Sequence, residues 1–243
     1  MDQATGNRGG GRRLHLARMG EDQPGTGAAP PGGDTGASGA AGPLSGPARA
    51  LPEDHTQAIL ETTKHVAALL KASGHPFALA GSVAAHAHGV PAGFQHDTDF
   101  CIRRGDVDGV VQALRDGGVE IVSAPEDWLV KARSGGEEID LIFELAGGPV
   151  TDAMLERAPV LAVDSVRMPV LAPYDLLSSL LAALSEHHCD FAPLLTIART
   201  LRELVDWDAL RAEHEDDPLP DAFLYLLERL GVIEAREARE AGP

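Results

Sequence analysis

Asp97-Thr98-Asp99-Phe100-Cys101-Ile102-Arg103 is the stretch on which the fold turns. Its side chains alternate with the period of two that marks a strand, which places Asp97, Asp99, Cys101 and Arg103 on one face and Phe100 and Ile102 on the other. Two carboxylates one pleat apart repel each other unless a cation lies between them. Donor sets made only of oxygen suit Mg²⁺ or Mn²⁺, ions that keep several waters and bind substrate phosphates. The strand therefore predicts a sheet whose charged face is built to hold a divalent cation.

Upstream, the short apolar run from Pro76 to Ala80 ends in Gly81-Ser82 and is followed by the alanine-rich segment Val83 to His88. This parses as strand, tight turn and helix, with Ser82 as N-cap. Free N–H groups at a helix start attract phosphate, glycine lets a ligand approach the backbone, and the serine hydroxyl suits a terminal phosphate oxygen. Earlier still, Ala58, Ile59, Thr62, Val66, Leu69 and Leu70 recur at helical spacing between Pro52 and Ala72, with Pro52 suited to the first helical position.

Downstream, the spacing predicts a helix from Asp106 to Arg115, ended by Gly117-Gly118, and a β-branched strand from Val119 to Val122. Trp128 to Arg133 and Glu138 to Leu145 read as a hairpin across Ser134-Gly135-Gly136. Within it Asp140 is a carboxylate between Ile139 and Leu141, and a charge in that setting needs a partner. If this strand lies beside the Asp97 strand, Asp140 completes a triad able to hold two metals or to act as a general base. The competing reading is a salt bridge to Lys131 or Arg133.

Past Met168-Pro169 the patterning becomes helical: Tyr174 to His187, Phe191 to Leu204, Trp207 to His214 and Ala222 to Leu230. Asp175, Asp206 and Asp221 fall near helix starts, where a carboxylate complements the dipole. The expected class is α/β (α+β): a small mixed sheet flanked by helices over residues 51–168, a helical C-terminal domain over 169–235 and a flexible end at 236–243. Residues 1–50 hold 13 of the 27 glycines and five of the 17 prolines, with no apolar period. They are expected to be disordered.

The chain of 243 residues is 44% hydrophobic, enough for a core, yet it lacks a run of about 18 apolar residues of the kind that spans a bilayer. Neither a membrane segment nor an exported leader is expected. Two cysteines, Cys101 and Cys189, in apolar or helical contexts predict no disulfide framework and a cytoplasmic setting. The net charge of −17 resides beyond the tail, where 33 acids face 15 basic residues, and it disfavours broad binding to a nucleic-acid backbone.

The order Leu79-Ala80-Gly81-Ser82, Asp97-Thr98-Asp99, Ile139-Asp140-Leu141 resembles the nucleotidyltransferase superfamily, the polymerase-beta-like group that includes antibiotic adenylyltransferases and nucleotidyltransferase toxins. Phe94-Gln95-His96-Asp97, Pro125-Glu126-Asp127-Trp128-Leu129 and Glu186-His187-His188-Cys189-Asp190-Phe191 look like an uncharacterised actinobacterial branch of it. The resemblance spans roughly residues 75–233. It implies Mg²⁺-dependent (or Mn²⁺-dependent) transfer of a nucleoside monophosphate from a nucleoside triphosphate to an acceptor hydroxyl, whether of a small molecule, a protein or a tRNA end. Asp97, Asp99 and Asp140 would hold metal, with Asp140 alternatively the base, and Gly81, Ser82 and Lys131 would bind nucleotide.

The sequence departs from the family pattern in two places. Fourteen residues separate Ser82 from Asp97, slightly more than is common, and the Arg or Lys often found just before the Asp pair is replaced by Ala92, Gly93, Gln95 and His96. Lys131 with Arg133, or Arg103 with Arg104, are candidates to supply that charge. The alternative function is a catalytically degenerate nucleotide-binding or protein-interaction module of the same fold.

Other features read as structural. In the helix expected to run through His187, only His187 with Asp190, or Glu186 with Asp190, would share a face, which does not make a zinc site. Cys101 is read as a buried filler rather than a nucleophile, and Trp128 and Trp207 as core or interface anchors.

Overall fold

The computed structural model describes residues 53–91 and 97–235. The N-terminal tail, Pro52, the loop containing His96 and the last eight residues lie outside the described residues.

Helix α1 (Glu53–Ser73) opens the chain, followed by β1 (Phe77–Leu79), α2 (Gly81–Ala87), β2 (Asp97–Ile102), α3 (Val107–Asp116), β3 (Glu120–Val122), β4 (Leu129–Ser134) and β5 (Glu137–Ile142). The five strands form one sheet in the order β1-β2-β5-β4-β3. β2 and β5 run parallel and the other pairs are antiparallel, so the sheet is mixed as the sequence predicts. Gly135 and Gly136, both at positive φ, close the β4–β5 hairpin. A two-residue turn of that kind matches the twist of the strands and sets their register.

The faces of the sheet differ as the alternation in β2 requires. Ile59, Val66 and Leu70 of α1, with Val110 and Leu114 of α3, share one core with Phe100, Ile139 and Leu141. Thr98 lies among these apolar neighbours, and its hydroxyl meets that of Thr63 at 3.1 Å, which satisfies both groups. The opposite face carries the charges of β2, β5 and β4.

After β5 come elements too short to show a period in sequence: β6 (Glu144–Leu145), β7 (Gly148–Pro149), α4 (Asp152–Glu156) and the β8 (Val160–Val163) and β9 (Val166–Pro169) hairpin. The chain then returns to the sheet, where the Leu171 N–H donates to the Leu79 carbonyl at 2.9 Å. Helices α5 (Pro173–Ala182), α6 (Phe191–Leu201), α7 (Trp207–Glu213) and α8 (Pro218–Arg229) follow, and one apolar cluster runs continuously from α1 to Ile233.

Several sequence expectations are corrected here. α2 begins at Gly81 with Ala80 as its N-cap, so Ser82 lies inside the first turn and its side chain is not the cap. α5 stops at Ala182 rather than His187, because Ser185 and His188 exchange two backbone hydrogen bonds in a tight turn and Asp190 instead caps α6, accepting from the Ala192 N–H. The helix-face argument for His187 and Asp190 therefore lapses, and Cys189 is exposed in a loop rather than part of a helix. α6 ends three residues early, and α8 starts at Pro218, four residues before the expected Ala222. Among the described residues no helix is long and apolar enough to cross a membrane.

Candidate active site

In the parallel pairing of β2 with β5, Asp99 stands opposite Asp140 and Asp97 opposite Glu138. In the antiparallel pairing of β5 with β4, Asp140 stands opposite Lys131 and Glu138 opposite Arg133. Two cross-strand rows result, each reading acid, acid, base: Asp99–Asp140–Lys131 and Asp97–Glu138–Arg133. One carboxylate oxygen from each of Asp97, Asp99 and Asp140 lies within 4.8 Å of the other two. Asp97 and Asp140 are buried, and Asp99 keeps part of its surface exposed.

Gathering these acids is costly. Burial, then the charge of Asp140, pushes Asp97 up to about 6, with Lys131 opposing. Burial raises Asp99 well above the usual carboxylate range, with Asp97 and Asp140 adding to the shift. Asp140 is raised by burial and partly relieved by Lys131. Its two oxygens each accept from the Lys131 ammonium at 3.1 Å. Three mutually repelling oxygen donors, none of them sulfur or imidazole, suit a hard divalent cation, which would remove the repulsion that burial leaves in place. The donor set thus fits the metal that the sequence suggested.

Gly81 sits directly over this cluster. Its φ is +62°, a left-handed conformation that favours glycine, and a Cβ there would overlap the Asp99 carboxylate. The Ala80 N–H donates to the Asp99 carbonyl at 2.8 Å, so the β1–α2 turn and the acid-bearing strand are locked together. The sequence explanation for the glycine was room for a ligand. The structure supplies a nearer one, room for Asp99.

The candidate replacement cations separate. Lys131 is at the cluster. Arg103 pairs with Asp106 and with Asp152 at 2.8 Å, and Arg104 pairs with Glu144 at 3.2 Å while stacking on the Phe143 ring at 4.4 Å. Both follow the C-terminal end of β2, about 13 Å of strand rise or more beyond Asp99, and are committed elsewhere. Cys101, two residues past Asp99, is fully buried, and burial raises its thiol far above its ordinary value, so it is no nucleophile. Trp128 packs with Leu129 and Ile142 in a small separate cluster.

Sequence reasoning did not single out Glu138, Thr63, Thr98 or Glu126. Glu138 was signalled by its i, i+2 spacing from Asp140 on a strand. Glu126 carries a buried Oε2 with no hydrogen-bond partner among the described residues, and nothing in its local sequence foretells that.

The sequence of residues 48–236 matches the family model described as uncharacterised nucleotidyltransferase. The chain belongs to this nucleotidyltransferase family. Among solved structures, this nucleotidyltransferase is similar to ANT(2")-Ia in complex with adenylyl-2"-tobramycin, at 11% identity and a TM-score of 0.48 over 69% of this chain and 97% of that one. It is also similar to JHP933 from Helicobacter pylori, at 13% identity and a TM-score of 0.39 over 74% and 93% of the two chains. A third likeness is to the lincosamide antibiotic adenylyltransferase LnuA with lincomycin bound, at 13% identity and a TM-score of 0.38 over 64% and 99%. A search of curated protein sequences returns no match. The family assignment rests on the sequence match and on none of these likenesses.

Proposed function

We propose that this nucleotidyltransferase transfers a nucleoside monophosphate from a nucleoside triphosphate to an acceptor hydroxyl, with Mg²⁺ or Mn²⁺ held by Asp97, Asp99 and Asp140. The observation that carries this reading is the convergence of those three carboxylates within 4.8 Å on one sheet face. When bound, the divalent cation supplies charge neutralisation for the phosphates and for the pyrophosphate that leaves.

The chain's own residues do the rest. Gly81 and Ser82 offer backbone N–H groups and a hydroxyl to the triphosphate beside Asp99, and Lys131 offers an ammonium from the other side of the acids. Asp140 alternatively accepts the acceptor hydroxyl's proton at a carboxylate oxygen. The acceptor oxygen then bonds to the α-phosphorus as the bond to pyrophosphate breaks, and pyrophosphate leaves. The helical segment 169–235, joined to β1 through Leu171, is the element on which acceptor selection rests.

The test is incubation with each of the four nucleoside triphosphates, with and without Mg²⁺, in the presence of a cell extract that supplies acceptors, reading pyrophosphate release and labelled product. Asp97→Asn and Asp99→Asn should each lower transfer at least a hundredfold with the fold retained. Undiminished transfer by either variant refutes the assignment. Stabilisation by a triphosphate without turnover would point instead to the degenerate binding module.

A further inference from the structure

The Lys131 ammonium engages the Asp140 carboxylate that is one of the three candidate cation ligands. It is 3.1 Å from both carboxylate oxygens at once, so it engages the lone pairs that a divalent ion would share. Asp140 is nearly inaccessible, whereas Lys131 keeps about a third of its side chain, 31%, exposed. No Lys or Arg salt bridge reaches Asp97 or Asp99 among the described residues, although the Lys131 charge acts on both. The ammonium is thus the counter-charge of the whole triad. It is also a flexible, compact one, on a four-carbon stem with three rotatable donors and no preferred planar geometry.

A further acid acts on this pair. Glu126, whose buried Oε2 has no hydrogen-bond partner among the described residues, is a carboxylate whose charge acts on both Lys131 and Asp140. By contrast Arg133, two residues along the same strand face, pairs with Glu138 at 3.1 Å in an ion pair about half exposed on both sides. Its ion-pair partner is thus none of the three clustered acids.

We propose that Lys131 is a displaceable stand-in for the divalent cation, holding Asp140 in the metal-free chain and swinging off it when the cation binds, so that its charge is presented to the phosphates. This inference rests on the metal reading above and adds a consequence to it. Metal and polyphosphate binding are then mutually dependent, and linkage requires that each strengthen the other by the same factor.

The first measurement uses the wild-type chain. Lysine acylation read by mass spectrometry should show Lys131 several-fold more reactive on adding Mg²⁺, and protected again when inorganic tripolyphosphate follows. The second compares Mn²⁺ affinity, without nucleotide, in wild type, Lys131→Met and Arg133→Met, each checked for folding by circular dichroism. Lys131→Met should bind Mn²⁺ about tenfold more tightly, a difference of about 1.4 kcal/mol, and Arg133→Met no more than about twofold. Unchanged Lys131 reactivity in Mg²⁺-bound protein overturns the proposal. So does an equal gain in both variants, which would mean that only net charge matters. If none of the three proteins binds Mn²⁺, the metal reading itself fails and the stand-in with it.

Discussion

The sheet carries the same order of charges twice, and the two copies behave differently. Asp99–Asp140–Lys131 is the inner row, with a buried acid at its centre and an ammonium bound to both of that acid's oxygens. Glu138 and Arg133 of the outer row are about half exposed and meet through one contact. Charge order alone therefore does not make a site. In the inner row low dielectric and mutual repulsion demand a counter-ion, while in the outer row water screens each charge and the pair contributes little. Asp97 belongs to the outer row by register but to the inner cluster by depth.

Gly81→Ala tests this contrast most severely. A Cβ at a φ of +62° would collide with the Asp99 carboxylate, and a loss of about 2–4 kcal/mol in unfolding free energy, with weakened Mn²⁺ binding, is expected. Denaturant titration checks it, and a variant of unchanged stability would mean that the inner row is looser than it stands here.

Asp97→Asn should act in the other direction in metal-free protein. The wild-type carboxyl is raised from 3.8 to about 6 on folding, so the folded chain binds more protons between those values. The penalty is absent below about 4, grows as pH rises, and is complete above about 6. At pH 7 and without divalent ions the variant should be more stable than wild type by roughly 2–3 kcal/mol, the gain vanishing toward pH 4. Comparing the two pH–stability profiles decides it. Saturating Mg²⁺ should raise the wild-type melting temperature and leave the variant's nearly unmoved.

Lys131→Met removes the partner of a buried acid and should cost about 1–2 kcal/mol in metal-free protein, moderated because Lys131 is partly exposed and Asp140 can take up a proton. Arg133→Met should change stability by less than about 0.5 kcal/mol. Thermal unfolding of the two variants side by side measures the difference between the rows directly, and equal losses would erase it.

Much of the site was legible because a strand's period of two is rigid. Once Asp97 to Ile102 is a strand, Asp97 and Asp99 share a face with no further information. The sequence left Lys131 and Arg133 both open as partners of Asp140, and the observed two-residue turn at Gly135-Gly136 puts Lys131 opposite it. The 144–169 segment was illegible because its strands and helix are two to five residues long, shorter than a period can reveal. Segment 183–190 misled for a different reason: its composition tolerates a helix, but paired backbone hydrogen bonds between Ser185 and His188 and the Asp190 cap prevail. Ser82 misled because Gly81 tolerates the positive φ from which the helix begins two residues early.

By itself the sequence determined the class of the sheet, the acids on its charged face and an all-oxygen donor set of the kind that suits a hard divalent cation, since each follows from local alternation and donor chemistry. Only the tertiary structure decided that β5 runs parallel beside β2, which brings Asp140 against Asp99 from 41 residues away. It also decided that Gly81 must be glycine because of Asp99, and that Lys131 is bound to Asp140 while Arg103 and Arg104 are engaged elsewhere. Pairing between distant strands depends on which apolar faces α1 and α3 cover, a balance over the whole core that no local pattern contains.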